Sequence, residues 1–215
     1  MMLIDAWNYI LAHPTQFWRA LGVHIALSAS ALLIAAAISI PAGIAVARRA
    51  SLALAAVNVA NVGRTLPSLA VLALVMPLLG TGFQSALFAL TLIALPPIVT
   101  HTITAMRGVD ADAVDAAIGM GMTRSGLLWR VELPMALPVI FAGQRTAAVQ
   151  VISGAVLAAF IGGGGLGDFI TAGIAMMALP QLLVGAIPVT LLALGTDFLF
   201  GALQRRLTSN GLRST

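Results

Sequence analysis

Five long apolar runs determine what this chain can fold into. They lie near residues 21–47, 52–79, 84–106, 134–160 and 180–203. A helix needs about 20 apolar residues to cross the roughly 30 Å hydrocarbon core of a bilayer, and each run reaches that length. Charged residues make up 8% of the chain, whereas soluble domains carry about 25%. The sequence therefore predicts an all-α integral membrane protein with about five transmembrane helices.

Two stretches fit this pattern less well. The second run contains Asn58, Asn61 and Arg64 in its first half, so a shorter span from about Thr65, with an interfacial helix before it, is the alternative there. Residues 161–179 are glycine-rich and only moderately apolar. We expect them to form a loop or a re-entrant segment rather than a sixth span.

The arginines indicate how the spans are oriented, because cytoplasmic loops of membrane proteins carry an excess of basic residues. With five spans, nine arginines lie outside the membrane-spanning segments: eight on one side of the membrane and one on the other. The eight are Arg48, Arg49, Arg107, Arg124, Arg130, Arg205, Arg206 and Arg213, and the ninth is Arg19. We therefore expect an external interfacial segment (1–19), a transmembrane domain (20–206) with a cytoplasmic loop (107–133), and a cytoplasmic tail (207–215).

Composition excludes several other classes of protein. The chain has no cysteine, which excludes disulfides and thiolate metal sites. Its basic residues are all arginines, scattered singly or in pairs, without the basic and aromatic surface of a nucleic-acid-binding protein. The sequence contains no recognisable nucleophile–base pair and no His/Asp/Glu cluster with metal-ligand spacing. It therefore predicts neither catalysis nor a cofactor bound by this chain.

A polar segment separates the third and fourth apolar runs. Residues 110–118 (DADAVDAAI) are acidic at their start, which favours the N-terminus of a helix. Gly119 and Gly121 are expected to end this helix. Thr123 is a candidate N-cap for a second short helix, SGLLWRVE, which should end before Pro134.

The second short helix has one apolar face. That face carries Leu127, Leu128 and Val131, whereas Arg124 and Arg130 project elsewhere. A solvated cytoplasmic loop is one interpretation, but such a loop has no need of an amphipathic helix between glycine hinges. The pattern is typical of a helix that inserts its apolar face into a groove on a partner protein.

The polar segment also resembles a known signature. The residues that carry the resemblance are Asp115, Ala116, Ala117, Gly121, Val131, Leu133 and Pro134. Their spacing is similar to the EAA signature of the membrane subunits of binding-protein-dependent ABC importers, with aspartate in place of the usual glutamate and valine in place of isoleucine. The resemblance implies that residues 115–134 form a coupling helix that docks into a cleft of a cytoplasmic ABC ATPase. The expected docking residues also include Thr123, Arg124, Leu127 and Leu128.

Longer stretches, residues 24–35, 64–83 and 137–170, resemble the permeases that import osmoprotectants such as glycine betaine, choline and carnitine. This resemblance implies a MetI-like bundle in a bacterial inner (cytoplasmic) membrane, with a second permease copy or a paralogue beside it. It also implies a periplasmic or external substrate-binding protein. ATP and Mg²⁺ would bind the partner ATPase, so this chain would not itself be an enzyme. The alternatives are an ABC permease for another small solute such as an amino acid, and an autonomous secondary transporter.

Four ionisable residues within or beside the predicted spans need an explanation: Arg64, His101, Arg145 and Asp197. A charge that faces lipid is costly, so these side chains should face protein or water. One interpretation is an intramembrane pair, with Asp197 as the available partner for an arginine. The other is that these residues line a translocation path.

A glycine run, Gly162, Gly163, Gly164 and Gly165, follows the fourth apolar run. It lacks the Lys-Ser/Thr that completes an ATP-binding glycine loop. Its expected place is on the external side, where it could act as a gate beside a docked binding protein. Simple loop flexibility is the alternative.

Overall fold

The computed structural model describes residues 2–207, and every regular element among them is a helix. In chain order the α-helices are α1 (Met2–Ala12), α2 (Pro14–Ala47), α3 (Ala50–Thr65), α4 (Ser68–Leu79), α5 (Phe83–Arg107), α6 (Ala111–Gly119), α7 (Arg124–Leu127), α8 (Leu133–Gly154), α9 (Gly167–Ala175) and α10 (Leu179–Leu207). A π-helical turn (Leu128–Glu132) joins α7 to α8, and a 3-10 segment (Ala155–Ile161) follows α8. The prediction of an all-α fold is confirmed. The predicted tail lies outside the described residues from position 208 onward.

Four helical stretches are long and apolar enough to cross a bilayer. They are α2, α5, the continuous helix Arg124–Ile161 and the stretch Leu179–Arg206 of α10. α3 and α4 qualify together as a fifth, but they meet at an angle of 94°. The bend falls at Leu66, which is extended because the following proline disfavours a helical conformation. The run 52–79 is therefore two helices rather than one continuous span.

The first long helix starts earlier than the sequence indicated. α2 begins at Pro14, so residues 14–19 belong to this helix and not to a separate N-terminal segment. Proline suits the first turn of a helix because its fixed φ is already helical and its missing N–H would have no partner there. The short helix α1 precedes it and packs against α10.

α5 lies at the centre of the bundle. Within its most apolar stretch 61% of the residues are buried, against 17% for α10, and it packs against α2, α3, α4 and α8. Many of its buried residues are small, including Ala86, Ala89 and Ala94. Small side chains let helix backbones approach closely in lipid, where no hydrophobic effect drives helices together. α10 therefore keeps a large face free for lipid, water or another chain.

The helix around the polar segment is longer than predicted. The second short helix was expected to end before Pro134, but the π turn carries it without a break into α8. Pro134 lies in the first turn of α8, directly after the π turn. The wider π turn loosens the α-helical hydrogen-bond pattern at the point where proline has no N–H to donate. The second short helix of the polar segment and α8 are thus one continuous helix, Arg124–Ile161.

The stretch after this helix is ordered by close packing. Within residues 161–179, which were predicted as a loop or a re-entrant segment, α9 forms a short helix against α10. A methyl group added at Gly173 would lie 2.5 Å from the backbone nitrogen of Leu182. Glycine is therefore required there because two helices cross at backbone contact distance.

The bundle has two chemically different ends. At the arginine end, defined by residues 47–49, 107 and 124–133, the last turns of α2 and α5 meet the start of α8 around Ala47, Met106 and Ala136. At the glycine end, defined by residues 80–83 and 161–166, the Gly82 N–H donates to the Ile161 carbonyl at 2.7 Å. Any site that acts across the membrane has to connect these two ends.

Candidate functional site

α6 ends in a rigid, glycine-dependent turn. The Gly121 N–H donates to the Ile118 carbonyl at 2.9 Å, and the Met122 N–H donates to the Ala117 carbonyl at 3.2 Å. This pair of bonds forms a Schellman motif, which places the residue after the helix in the left-handed region. Gly121 has a φ of +80°, as the motif requires. The glycine of the signature therefore fixes a turn rather than providing a loose hinge.

Both helices of the polar segment also have capped N-termini. The Asp110 side chain accepts a hydrogen bond from the Asp112 N–H at 2.9 Å. The Thr123 hydroxyl accepts one from the Gly126 N–H at 3.2 Å, so the predicted N-cap of the second helix is confirmed. Caps of this kind stabilise a helix by about 1 kcal/mol each. The segment is consequently a defined helix–turn–helix.

The predicted apolar face of the second helix points inward. Leu127 is 7% exposed, so the expectation that it forms an exposed docking surface is wrong. Leu128 and Leu133 pack against the core at the arginine end, and Val131 is half-buried. The reason is that α7 continues into α8 and shares its buried face.

Other apolar side chains take the exposed positions. We call Ile118, Met120 and Trp129 the apolar patch, and they are 55%, 74% and 67% exposed. All three residues stand on the same capped helix–turn–helix, and exposed large apolar side chains within one such segment are typical of an interaction site. Single-sequence periodicity missed the patch because Ile118 lies in α6, Met120 directly after it and Trp129 in the π turn, so no single helical period relates them.

The remaining residues of the signature divide between surface and core. Asp115 and Ala116 are exposed, as are Arg124, Arg130 and Pro134. Ala117 is buried and lies at the start of the Schellman turn. The exposed charged members, Asp115, Arg124 and Arg130, belong to the same segment as the apolar patch, and interfaces commonly combine an apolar centre with a polar rim.

One ion pair fastens the polar segment to the bundle, and a second contact beside it joins α5 to α2. Arg48 Nη2 donates to Glu132 Oε2 at 2.6 Å, which links the end of α2 to the π turn. The Arg107 guanidinium donates to the Ala47 carbonyl at 3.3 Å. The sequence placed Arg48, Arg107 and Glu132 on the same side of the membrane. It contained no spacing signal that would pair Arg48 with Glu132, which lies 84 positions away.

A second ion pair lies inside the membrane-spanning part of the bundle. Arg145 of α8 donates to Asp197 of α10 through two bonds, Nε to Oδ1 at 2.5 Å and Nη2 to Oδ2 at 2.6 Å. Fork-like pairing of this kind fixes both side chains. The pair is 38% and 40% exposed, and it borders a groove of about 540 Å³ between α8 and α10.

The structure does not bring the other two candidate residues to this pair. Arg64 is exposed near the end of α3. His101 is half-buried on α5, and its Nδ1 lies 2.8 Å from the Pro97 carbonyl. Since a carbonyl oxygen only accepts, Nδ1 must carry the proton in this bond. His101 lies at the crossing of α5 and α8, where a methyl group on Gly143 would meet it at 2.6 Å.

At the glycine end, three of the four predicted gate glycines adopt positive φ angles: Gly162 (+71°), Gly164 (+75°) and Gly165 (+100°). Gly163 is buried, and its N–H donates to the Ala158 carbonyl at 2.8 Å. The run is therefore a tightly packed turn, not a slack loop.

This turn covers His24 on one side and a cavity on the other. His24 is fully buried, and its Nε2 lies 3.1 Å from the Ile152 carbonyl, which ties α2 to α8. The cavity has a volume of about 400 Å³, and its polar lining includes Gln16, Arg19 and Asp168. Partial burial raises the pKa of the Asp168 carboxyl above its ordinary value.

A helical bundle with an ion pair in its spans and a fastened helix–turn–helix at one end has the architecture of a membrane transport subunit. Residues 39–209 match the family described as binding-protein-dependent transport system inner membrane component, and the chain belongs to this family. It is therefore a multi-pass inner-membrane transport permease, not an enzyme, of a class that works with an ATPase and a substrate-binding protein.

Several curated relatives are similar along nearly their whole length. The carnitine transport permease protein OpuCB of Listeria monocytogenes is 44% identical over 92% of this chain and 89% of its own length. The choline transport system permease protein OpuBB of Bacillus subtilis is 40% identical, with 88% of each chain covered. The osmoprotectant import permease protein OsmW of Salmonella typhimurium is 37% identical over 98% of this chain and all of its own.

Solved structures share the fold. An inward-facing MetNI methionine ABC transporter matches with a TM-score of 0.76 over 92% of this chain and 99% of that chain, at 19% identity. An amino acid ABC transporter matches with a TM-score of 0.72 over 93% and 97%, also at 19% identity. The expected MetI-like ABC permease bundle is thereby confirmed.

Proposed function

We propose that this chain is the transmembrane subunit of an ATP-driven importer for osmoprotectants of the quaternary ammonium type, such as carnitine, choline or glycine betaine. Relatives named for these substrates or for osmoprotectants in general are 37–44% identical over nearly the whole chain, which supports this substrate class. An importer of another small solute, such as an amino acid, is the second candidate, because the solved structures of the same fold include amino-acid transporters.

The apolar patch is the observation that carries the mechanism. It stands on a segment with two caps and a Schellman turn, at the arginine end of the bundle. The excess of arginine there favours a cytoplasmic position. A cytoplasmic ABC ATPase subunit docks on this patch, and the coupling residues 115–134 meet it with Ile118, Met120 and Trp129. ATP and Mg²⁺ bind the ATPase and not this chain.

Movement of the docked ATPase reaches the spans through covalent and ionic links. The π turn continues directly into α8, and the Arg48–Glu132 pair joins the same turn to α2. When two ATPase subunits close on ATP, they pull two coupling segments together and shift the bundle from one discrete packing to another. This requires a second permease subunit, either another copy or a paralogue.

The glycine end receives the substrate-binding protein on the external side. Its tight turn at residues 162–165 packs on α2 and on the loop before α5, so displacement of that turn moves both elements. The turn then serves as the external gate. With this orientation the N-terminus is external and residues after α10 are cytoplasmic.

Reconstitution in vesicles tests the proposal. The permease is incorporated with its ATPase, and substrate-binding protein is added outside. Uptake of labelled glycine betaine, choline, carnitine and amino acids is followed with and without enclosed ATP. We expect uptake of at least one of these solutes to require all three components and ATP. Uptake that needs no ATPase and follows an ion gradient would instead establish a secondary transporter, and uptake of amino acids alone would establish the second candidate.

A further inference from the structure

The groove between α8 and α10 carries more polar groups than a lipid-facing surface tolerates. Thr146, Gln150 and Ser153 lie on one exposed face of α8, at spacings of four and three residues. They line the same groove as Arg145 and Asp197. Asp197 lies ten residues before the end of α10, which is about 15 Å along the helix axis. The ion pair therefore lies well inside the spans, and the groove extends from it to Gln204, three residues before the end of α10.

Three environments are conceivable for this groove: lipid, a dry contact and water. Lipid is unfavourable, because charged and polar side chains deep in the hydrocarbon region face protein or water. A dry contact is also unfavourable, because it would bury charged groups that are now 38% and 40% exposed. The Thr146 hydroxyl already donates to the Ala142 carbonyl at 3.0 Å, but a water-filled space also satisfies the Gln150 amide and the Ser153 hydroxyl at no such cost.

We propose that this groove lines the water-filled translocation path, and that the Arg145–Asp197 pair keeps its wall electrically neutral so that cationic and zwitterionic quaternary ammonium solutes both pass. The inference rests on the proposed function for the nature of the solute. The physical reason is that a lone arginine in the wall would repel a cation, whereas its two hydrogen bonds to the Asp197 carboxylate cancel its charge at close range. The pair is thus a specificity-determining element.

The absence of cysteine from the sequence makes a direct test simple. Single cysteines are introduced as Thr146→Cys, Gln150→Cys and Ser153→Cys in the full-length permease, and as matched controls Leu191→Cys and Leu194→Cys on the exposed apolar face of α10. Membrane vesicles of both orientations are treated with charged thiosulfonate reagents, one carrying a trimethylammonium group and one a sulfonate. Charged reagents reach a thiol only through water.

We expect the groove cysteines to react at least about tenfold faster than the controls, since a thiol must be hydrated to ionise and react. Equal rates at groove and control positions would place the groove against lipid and overturn the proposal. Slow labelling combined with disulfide formation between two copies at position 150 would establish a dry contact and overturn it as well. This measurement needs neither substrate nor ATP, so its result is independent of whether uptake is observed.

The charge-neutral wall is tested in the Gln150→Cys background. Asp197→Asn leaves the arginine unpaired, and we expect the ratio of cationic to anionic reagent rates to fall by about tenfold. Arg145→Gln should shift the ratio in the opposite direction. The double variant Arg145→Gln with Asp197→Asn should return it to the original value. A ratio that does not change in either single variant would refute the role of the pair. The two variants are expected to shift the ratio in opposite directions, so the test still works if one of them misfolds.

Discussion

Arg48, directly after α2, and Glu132, in the π turn, form an ion pair with 2.6 Å between Nη2 and Oε2, and the two partners differ in exposure. The arginine side chain is 47% exposed, whereas the glutamate side chain is 13% exposed. Loss of the arginine and loss of the glutamate should therefore lower the stability of the protein by different amounts. The pair also fastens the proposed coupling segment to the first long helix, so its loss should affect both stability and transport.

We expect Arg48→Gln to be more harmful than Glu132→Gln. Without the arginine, a largely buried carboxylate loses its partner, at a cost of about 1–3 kcal/mol. Without the carboxylate, the arginine remains half exposed to water, and the cost stays under about 1 kcal/mol. Thermal unfolding of the purified permease in detergent measures both variants.

The double variant provides the control for this pair. Arg48→Gln with Glu132→Gln removes the buried charge together with its partner, so it should be more stable than Arg48→Gln alone. Arg49→Gln, at the neighbouring exposed position, should change little. Equal destabilisation by Arg48→Gln and Arg49→Gln would show that the ion pair contributes nothing specific.

The two glycines of the polar segment offer a matched comparison. A methyl group would meet no atom within 4 Å at either Gly119 or Gly121, but only Gly121 of these two has a positive φ, +80°. Gly121→Ala should cost about 1–2 kcal/mol in the turn, because an L-residue in the left-handed region is strained. Gly119→Ala should be neutral or slightly stabilising, because alanine favours a helix.

ATP-dependent uptake in vesicles distinguishes these two variants. Gly121→Ala should lower the uptake rate and the yield of permease–ATPase complex while leaving membrane insertion intact. Gly119→Ala should retain both properties. If the two variants behave alike, the Schellman turn is not what positions the coupling segment.

The sequence predicted some of these features and missed others for identifiable reasons. Thr123 was recognisable as an N-cap because capping is local, and the apolar runs were recognisable because a bilayer sets their length. The burial of Leu127 was not recognisable from the sequence, because it depends on α7 continuing through Pro134 into α8. The Arg48–Glu132 pair joins distant parts of the chain and leaves no local pattern. The polar face of α8 was detectable in principle, because Gln150 follows a hydroxyl residue by four positions inside an apolar run.

Trp129 and Leu127 should separate docking from folding. Trp129 is 67% exposed in the apolar patch, so Trp129→Ala should leave the permease stable. It should weaken ATPase binding by about 2 kcal/mol or more, roughly 30-fold, as expected for an aromatic anchor in an interface. Leu127 is 7% exposed, so Leu127→Ala should instead cost about 2–5 kcal/mol of stability.

Binding of the ATPase to immobilised, folded permease measures the first effect, and thermal unfolding measures the second. Unchanged affinity of the Trp129→Ala variant for the ATPase would remove the apolar patch as the docking surface. A large loss of stability in that variant would assign the tryptophan to the core instead.

The crossing of α5 and α8 depends on a glycine that sequence periodicity does not reveal. A methyl group at Gly143 would lie 2.6 Å from His101 Cβ and 3.2 Å from the Pro97 carbonyl oxygen, so Gly143→Ala should force the helices apart at a cost of about 1–3 kcal/mol. His101→Ala should not rescue it, because alanine retains the same Cβ. Gly195→Ala on α10 is the matched control, since a methyl group there meets no atom within 4 Å. The midpoint of thermal unfolding in detergent should therefore be much lower for Gly143→Ala than for Gly195→Ala. Similar midpoints would show that this crossing tolerates a wider separation than the close backbone approach implies.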